Sequence, residues 1–249
     1  MNAEPGRMRA ADVHAGWERL PLAGIEEIFG LGRTLILAPH SDDESLGCGG
    51  LIAASCRLRL APLVVILTDG TGSHPASRKF PAPALRRLRE REAAEALRQL
   101  GLDDPEAVVF LGLRDTAAPR CGAEFDAVVD HLAPLAAGCT TICAPWRHDP
   151  HCDHEAADRM ARAVAFRTGV RHLAYPVWGW TLAPNTRLPN QPVRGWRLDI
   201  SAVTAEKQHA IAAHRSQHGG VIDDDPNGFQ LPASMLAHFR RAYEVFLEP

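Results

Sequence analysis

The chain has 249 residues, of which 46% are hydrophobic and 23% charged, with a net charge of -3. This is the composition of a globular chain long enough to bury its own core, and its balance offers no broad basic surface for a nucleic-acid partner. Six cysteines without a C-x-x-C pair form no disulfide framework, no window approaches about 20 apolar residues, and "MNAEPGRMRAADVHAGWERL" lacks a charged-then-apolar leader, so a cytoplasmic chain with no membrane-spanning segment is expected. Residues 1–33 read as an N-terminal extension whose short helix packs on the core, ahead of one domain over 34–249. In that domain "TLILA" (34–38) is a buried strand, and "DESLGCGGLIAASCR" (43–57) is a helix, glycine-rich at its start. "APLVVILTDG" (61–70) is a second strand ending in a turn. "PALRRLREREAAEALRQLG" (83–101) is an amphipathic helix stopped by Gly101. "EAVVFLGL" (106–113) is a third strand, and "EFDAVVDHLAPLA" (124–136) a helix that Pro134 is placed to end early. "TTICAPW" (140–146) is a fourth strand, and "DHEAADRMARAVAFRTG" (153–169) a helix stopped by Gly169. "HLAYPVWGW" (172–180) reads as a fifth strand, and "SAVTAEKQHAIAAHRSQ" (201–217) as a helix with Ser201 at its cap.

Continuous apolar strands that alternate with helices require both faces of the sheet to be covered. The fold class expected is therefore α/β, a Rossmann-like, mostly parallel sheet with helices on both faces in a single domain. In such sheets ligands sit beyond the carboxyl ends of the strands, where the strand order reverses.

Two polar clusters fall at such ends. His40, Asp42, Asp43 and Glu44 follow the first strand; His148, Asp149, His151, Asp153 and His154 follow the fourth. A single aspartate at either place would be a helix cap. Together they offer a His-Asp-His set, His40, Asp43 and His154, of the kind that holds a catalytic zinc with one water. A divalent cation would offset the repulsion between the adjacent carboxylates. With Asp43 on the metal, Asp42 is left beside the water as a base. His151 lies three residues before a ligand and faces the same space, and Asp153 is positioned to hydrogen-bond it and hold its tautomer.

"PHSDDE" and "HCDH" resemble the paired (A/P)HPDDE and HPDH signatures of the PIG-L/LmbE-like zinc deacetylases. "LTDGTGS", "RLREREAAEALRQLG", "VVFLGLRD" and "EKQHAIAAHRSQ" are similar to further segments of that family, so the resemblance runs from Thr34 to Gln217. It implies one zinc ion per chain on His40, Asp43 and His154, with Asp42 as general base. It implies His151 as the group that steadies the oxyanion as an imidazolium and protonates the leaving amine, a role Asp42 could also fill, with Asp153 as its orienting carboxylate. Ser41 and Cys152 stand where the family has proline, and Cys152 is expected to face away from the metal. The activity implied is removal of an N-acetyl group from an amino sugar or its conjugate, a small-molecule substrate of the N-acetylglucosamine type. Two other functions fit Asp/His clusters: a metal-dependent phosphoesterase with two ions, and a non-catalytic binding member of the same fold.

Other residues carry weaker signals. Asp69 and His74 are either a turn former and a surface histidine or substrate contacts, and His148 and Asp149 are either supports for the ligands or polar loop. Trp146, Trp178, Trp180 and Trp196 read as core or lid packing rather than a sugar platform. "IDDDPNG" (222–228) reads as a solvated loop, lacking calcium-loop alternation. "GCGG" reads as a site of close helix–sheet packing.

Overall fold

In the computed structural model, which describes residues 6–249, the two innermost strands expose almost nothing: Thr34–Ala38 and Leu63–Thr68 are buried at every position. In chain order the elements are β1 (Arg7–Arg9), α1 (Ala10–Glu18), β2 (Leu22–Ala23), α2 (Ile25–Phe29), β3 (Arg33–Ala38), α3 (Asp43–Arg57), β4 (Leu63–Thr68), α4 (Ala82–Gln99), β5 (Val108–Leu113) and α5 (Gly122–Leu135). Then come β6 (Cys139–Pro145), α6 (Cys152–Thr168), β7 (Arg171–Tyr175), β8 (Arg187–Pro189), β9 (Gly195–Asp199), α7 (Thr204–Ala213), α8 (Ala233–Leu236) and β10 (Tyr243–Leu247).

The main sheet has eight strands in the order β2-β9-β10-β7-β6-β3-β4-β5. β3 to β7 are mutually parallel, whereas β10 runs antiparallel to both of its neighbours. Successive residues of a strand point to opposite faces. Accordingly Ile36, Ala38, Val64 and Ile66 enter one core with α3, α4 and α7, while Leu35, Leu37, Leu63 and Val65 enter another with α5 and α6. This two-sided burial is why these strands are apolar without alternation, and the α/β class expected from sequence is the one observed.

Local differences have simple causes. β7 ends at Tyr175 because Pro176 cannot donate to the ladder, and residues 178–181 form a 3-10 turn. α5 continues to Leu135, with Pro134 in its last turn, where an interruption costs little. The segment expected as one helix over 201–217 breaks at His214 (ψ 56°), so Arg215–Gln217 is a separate turn. β1, β2, β8, β9 and β10 have too little apolar periodicity to be read from sequence. Within the N-terminal region, Trp17 on α1 packs edge-on against Trp146 at 5.0 Å and Trp180 at 4.6 Å.

Of the α3 glycines, Gly47 lies against the sheet, whereas Gly49 faces Lys207 on α7 and Gly50 faces Ile200. A Cβ at Gly47 would overlap the ring of Tyr175, whose hydroxyl donates to the Leu37 carbonyl at 2.7 Å. No described helix is long and apolar enough to cross a membrane.

Candidate metal centre

β3 is flanked by β4 on one side and β6 on the other, so the strand order reverses between β3 and β6. Loops leaving the carboxyl ends of such a pair diverge and leave a crevice. α3 begins at Asp43 and α6 at Cys152, so both helices also aim their amino termini at it. A cavity of about 240 Å³ opens there, lined on its polar side by His40, Asp42, Asp43, Arg89, Asp115 and His151.

Both polar clusters of the sequence meet at this point. Asp43 Oδ2 lies 3.1 Å from His40 Nδ1 and 3.2 Å from His154 Nε2. The outer nitrogens of both rings are engaged: His154 Nδ1 faces Asp149 Oδ2 at 3.0 Å, and His40 Nε2 faces Asp153 Oδ2 at 3.2 Å and Asp115 Oδ1 at 3.4 Å. A carboxylate on the outer nitrogen orients each ring so that its inner nitrogen faces Asp43. His154 Nε2 is fully buried without a hydrogen-bond partner, although a carboxylate oxygen sits beside it. A ring nitrogen and a carboxylate oxygen at that distance need a proton or a metal cation between them. Donors bound at about 2.0–2.1 Å around one tetrahedral ion stand roughly 3.3 Å apart, close to the separation of Asp43 Oδ2 from each imidazole nitrogen.

Their electrostatics agree. Burial alone would lower His154, yet the Asp43 charge and hydrogen bonds to Asp149 and Asp43 raise it to about 9. Burial would raise Asp43, but the charge and hydrogen bond of His154 and the hydrogen bond of His40 hold it well below the usual carboxylate range. In the metal-free site a proton does the work of the cation. Imidazole donor atoms of His40, His151 and His154 lie within 4.8 Å of one another, as do donors of His40, Asp115 and Asp153. The latter two carboxylates are already committed: Asp153 accepts from Thr116 N and Ala118 N, and Asp115 from Gly72 N.

Asp42 precedes α3 with φ 148° and ψ -28°, a backbone conformation that non-glycine residues rarely adopt and that costs about 1–3 kcal/mol. Its amide donates to Glu44 Oε2 at 2.9 Å, and Glu44 Oε1 in turn accepts from Ser45 Oγ and faces His214 Nε2 at 2.9 Å. On its other side Arg89 donates to the Ser41 and Gly70 carbonyls and lies 3.5 Å from Asp42 Oδ2. Burial raises the Asp42 carboxyl to about 6 against the pull of Arg89, with Asp43 adding to the rise.

The expected pairing of Asp153 with His151 is not what forms. His151 is the N-cap of α6, and its Nδ1 accepts from the Asp153 amide at 3.2 Å. The Asp153 side chain, in the first turn, is drawn instead to the Thr116 and Ala118 amides and to His40. Burial, then repulsion from His40 and His154, lower His151 to about 4. With Nδ1 accepting, its proton resides on Nε2.

Cys152 turns its Sγ toward the Thr116 carbonyl at 3.4 Å. Asp69 is a turn former, accepting from Thr71 N and Oγ1. His74 is buried beneath Gly228, where any Cβ would overlap its ring. Asp149 is a support for His154, whereas His148 lies apart, against Trp146 and Arg147. Trp146 and Trp180 are core, but Trp178 lines the cavity with Phe229.

Arg89, Glu92, Asp115 and His214 carry roles that sequence reasoning did not assign. Arg89 and Glu92 share the buried face of α4 with Leu85, Ala93, Ala96 and Leu97. Charges on an apolar stripe were the signal. Glu92 accepts from Ser216 N and Oγ, which ties the H-x-S-Q turn to α4.

The family described as GlcNAc-PI de-N-acetylase (PIG-L) matches residues 35–165, just over half of the chain. A 2'-N-acetylparomamine deacetylase of Streptomyces fradiae is 30% identical over 224 residues, 81% of this chain and 80% of the relative. A probable N-acetyl-alpha-D-glucosaminyl L-malate deacetylase 2 of Bacillus subtilis (strain 168) is 25% identical over 198 residues, 76% of this chain and 84% of the relative. Among solved structures, the N,N'-diacetylchitobiose deacetylase of Pyrococcus horikoshii shares the fold, with a TM-score of 0.60 at 20% identity over 94% of this chain and 86% of that one. By the family match and the 30% relative alike, the chain belongs to the PIG-L family and is a hydrolytic N-deacetylase.

Proposed function

We propose that this N-deacetylase depends on a single zinc ion held by His40, Asp43 and His154, and removes an acetyl group from the amino group of an N-acetylglucosamine-type sugar or its conjugate. The two curated relatives act, by their names, on N-acetylated amino sugars that differ in their second component. The observation that carries the reading is the pair of imidazole nitrogens within 3.2 Å of one oxygen of Asp43, with Asp42 lining the same cavity. When bound there, a divalent cation supplies Lewis-acid chemistry, lowering the pKa of a water to about 7 and polarising the amide carbonyl.

The chain's own residues do the rest. Asp42, strained and desolvated, accepts the proton of the attacking water. His151 offers a neutral Nε2–H to the oxygen on which negative charge develops. The proton gained by Asp42 is then available to the departing amine. Arg89 and Glu44 keep Asp42 in place. A two-ion phosphoesterase would need a second set of free donors, and Asp115 and Asp153 are spent on backbone amides and His40. The strain retained at Asp42 supports a catalytic rather than a purely binding member. Six free cysteines among the described residues support a reducing, cytoplasmic setting.

The test is Asp42→Asn. Turnover of an N-acetylglucosamine conjugate should fall about 10²–10⁴-fold, while metal analysis still finds one zinc per chain. Near-normal turnover would exclude Asp42 as the base, and two ions per chain would exclude the single-ion reading.

A further inference from the structure

The cavity has a second wall that the chemistry does not use. Leu46, Trp178, Phe229, Leu231 and Met235 line it. Trp178 and Phe229 are only partly buried, with ring centroids 5.5 Å apart and planes inclined at 53°. They form an open aromatic wedge.

This wall is built rather than incidental. The Trp178 amide donates to Asp149 Oδ2, the same oxygen that holds His154 Nδ1, so one carboxylate sets both the aromatic ring and a metal donor. The Phe229 amide donates to the Ser73 carbonyl at 2.7 Å, and the Leu231 amide to the Gln217 carbonyl at 2.7 Å. The loop before Phe229 is clasped to residues 76–79. Asp225 accepts from Ala76 N, and Asp224 from Ser77 Oγ, Arg78 N and Lys79 N, all within 2.9 Å. The "IDDDPNG" segment is therefore a fastening and not a solvated loop.

The charged groups of the cavity are spent elsewhere. Arg89 turns both terminal nitrogens onto backbone carbonyls, and Asp115 binds Gly72 N and His40. Gln217 is buried at the cavity with Oε1 unpartnered, a neutral acceptor for a hydroxyl or amide of the substrate. None of Leu46, Trp178, Phe229, Leu231 and Met235 can balance a carboxylate or an ammonium on the part of a substrate that meets this wall, and an unbalanced charge is costly to desolvate.

Resting on the deacetylase reading, we propose that Trp178 and Phe229 seat an uncharged, apolar substituent of the substrate. The preferred substrate is an N-acetylhexosaminide carrying an alkyl or aryl aglycone, rather than one carrying a carboxylate or an ammonium group.

The test compares the phenyl, methyl, carboxymethyl and aminoethyl glycosides of N-acetylglucosamine on zinc-loaded wild-type protein. An aromatic contact in a preformed wall is worth about a tenfold preference. The kcat/KM for the phenyl glycoside should exceed those for both charged glycosides by at least that factor, mostly through KM. Trp178→Ala and Phe229→Ala should each bring the phenyl-to-methyl ratio close to one. Equal kcat/KM across the four glycosides would overturn this proposal and leave deacetylation standing. If all four are inert, deacetylation of such sugars fails, and binding of phenyl N-acetylglucosaminide, read as quenching of tryptophan fluorescence, decides the wall separately. Quenching that is lost in Trp178→Phe supports the seat; no quenching at millimolar ligand removes it.

Discussion

Asp149→Asn removes a charge and little else, and its consequences can be worked through bond by bond. Asp149 accepts four hydrogen bonds: His154 Nδ1, Val177 N and Trp178 N on Oδ2, and Gly179 N on Oδ1. Asparagine keeps one oxygen, which serves the first three. Its amide group must then face the Gly179 amide, where 2.7 Å separates donor and acceptor in the wild type. One buried N–H left unpaired costs about 1–3 kcal/mol, and three bonds that lose their charge assistance cost about 1 kcal/mol each. The sum is about 4–6 kcal/mol, which in a chain of this size lowers Tm by roughly 8–24 °C. Separately, loss of the carboxylate behind a metal-binding histidine weakens metal affinity about 10–100-fold. Calorimetry on the metal-free protein checks the first figure, and competition against a chromogenic chelator checks the second. A folded variant whose zinc affinity stays within twofold of wild type would refute the assignment of Asp149 as the support of a metal ligand.

Three further outcomes follow from the same geometry. Asp42 must be unprotonated to act and its carboxyl stands at about 6 in the metal-free site, so kcat/KM should decline on the acid side, with its limb at or below pH 6 because a bound cation pulls it lower; a limb above pH 7 would exclude Asp42. His154, raised to about 9, must lose its proton to the cation, so zinc affinity should weaken as pH falls below 9, by up to about tenfold per unit and per proton; calorimetry in buffers of differing ionisation enthalpy counts the protons, and affinity constant from pH 6 to 9 would contradict the ligand set. Gly47→Ala pushes a methyl into the Tyr175 ring and should cost about 1–3 kcal/mol, with thermal unfolding as the readout; an unchanged Tm would show the packing to be looser than described.

Much of this architecture is legible in the sequence. The strands of the central sheet announce themselves because burial on both faces removes polar residues from them, and the two clusters stand out because carboxylates next to such strands need a reason to be there. Asp42, Asp43, His40, His151 and His154 do meet. The failure at Asp153 is equally physical. Adjacent numbers suggest a bond to His151, but a helix N-cap turns its own ring back to the backbone and sends the next carboxylate to a neighbouring loop. The β9–β10 edge and the clasp at 224–225 are illegible because both depend on pairings between segments far apart in the chain, whose local sequence carries no period. Arg89 and Glu92 are visible as charges on an apolar helical face, yet their partners, Asp42 and Ser216, are set by how α4 lies against the crevice, which no local pattern encodes.

Asp149 has one more consequence, for anyone wishing to retune this enzyme. Since a single carboxylate fastens both Trp178 and His154, exchanging the 176–181 turn for that of a relative would be felt at His154 as well as at Trp178. The opposite bank, from Phe229 to Met235, is moored through Ser73, Gln217 and the 76–79 turn. Libraries confined to that bank leave the bonds that hold His154 untouched.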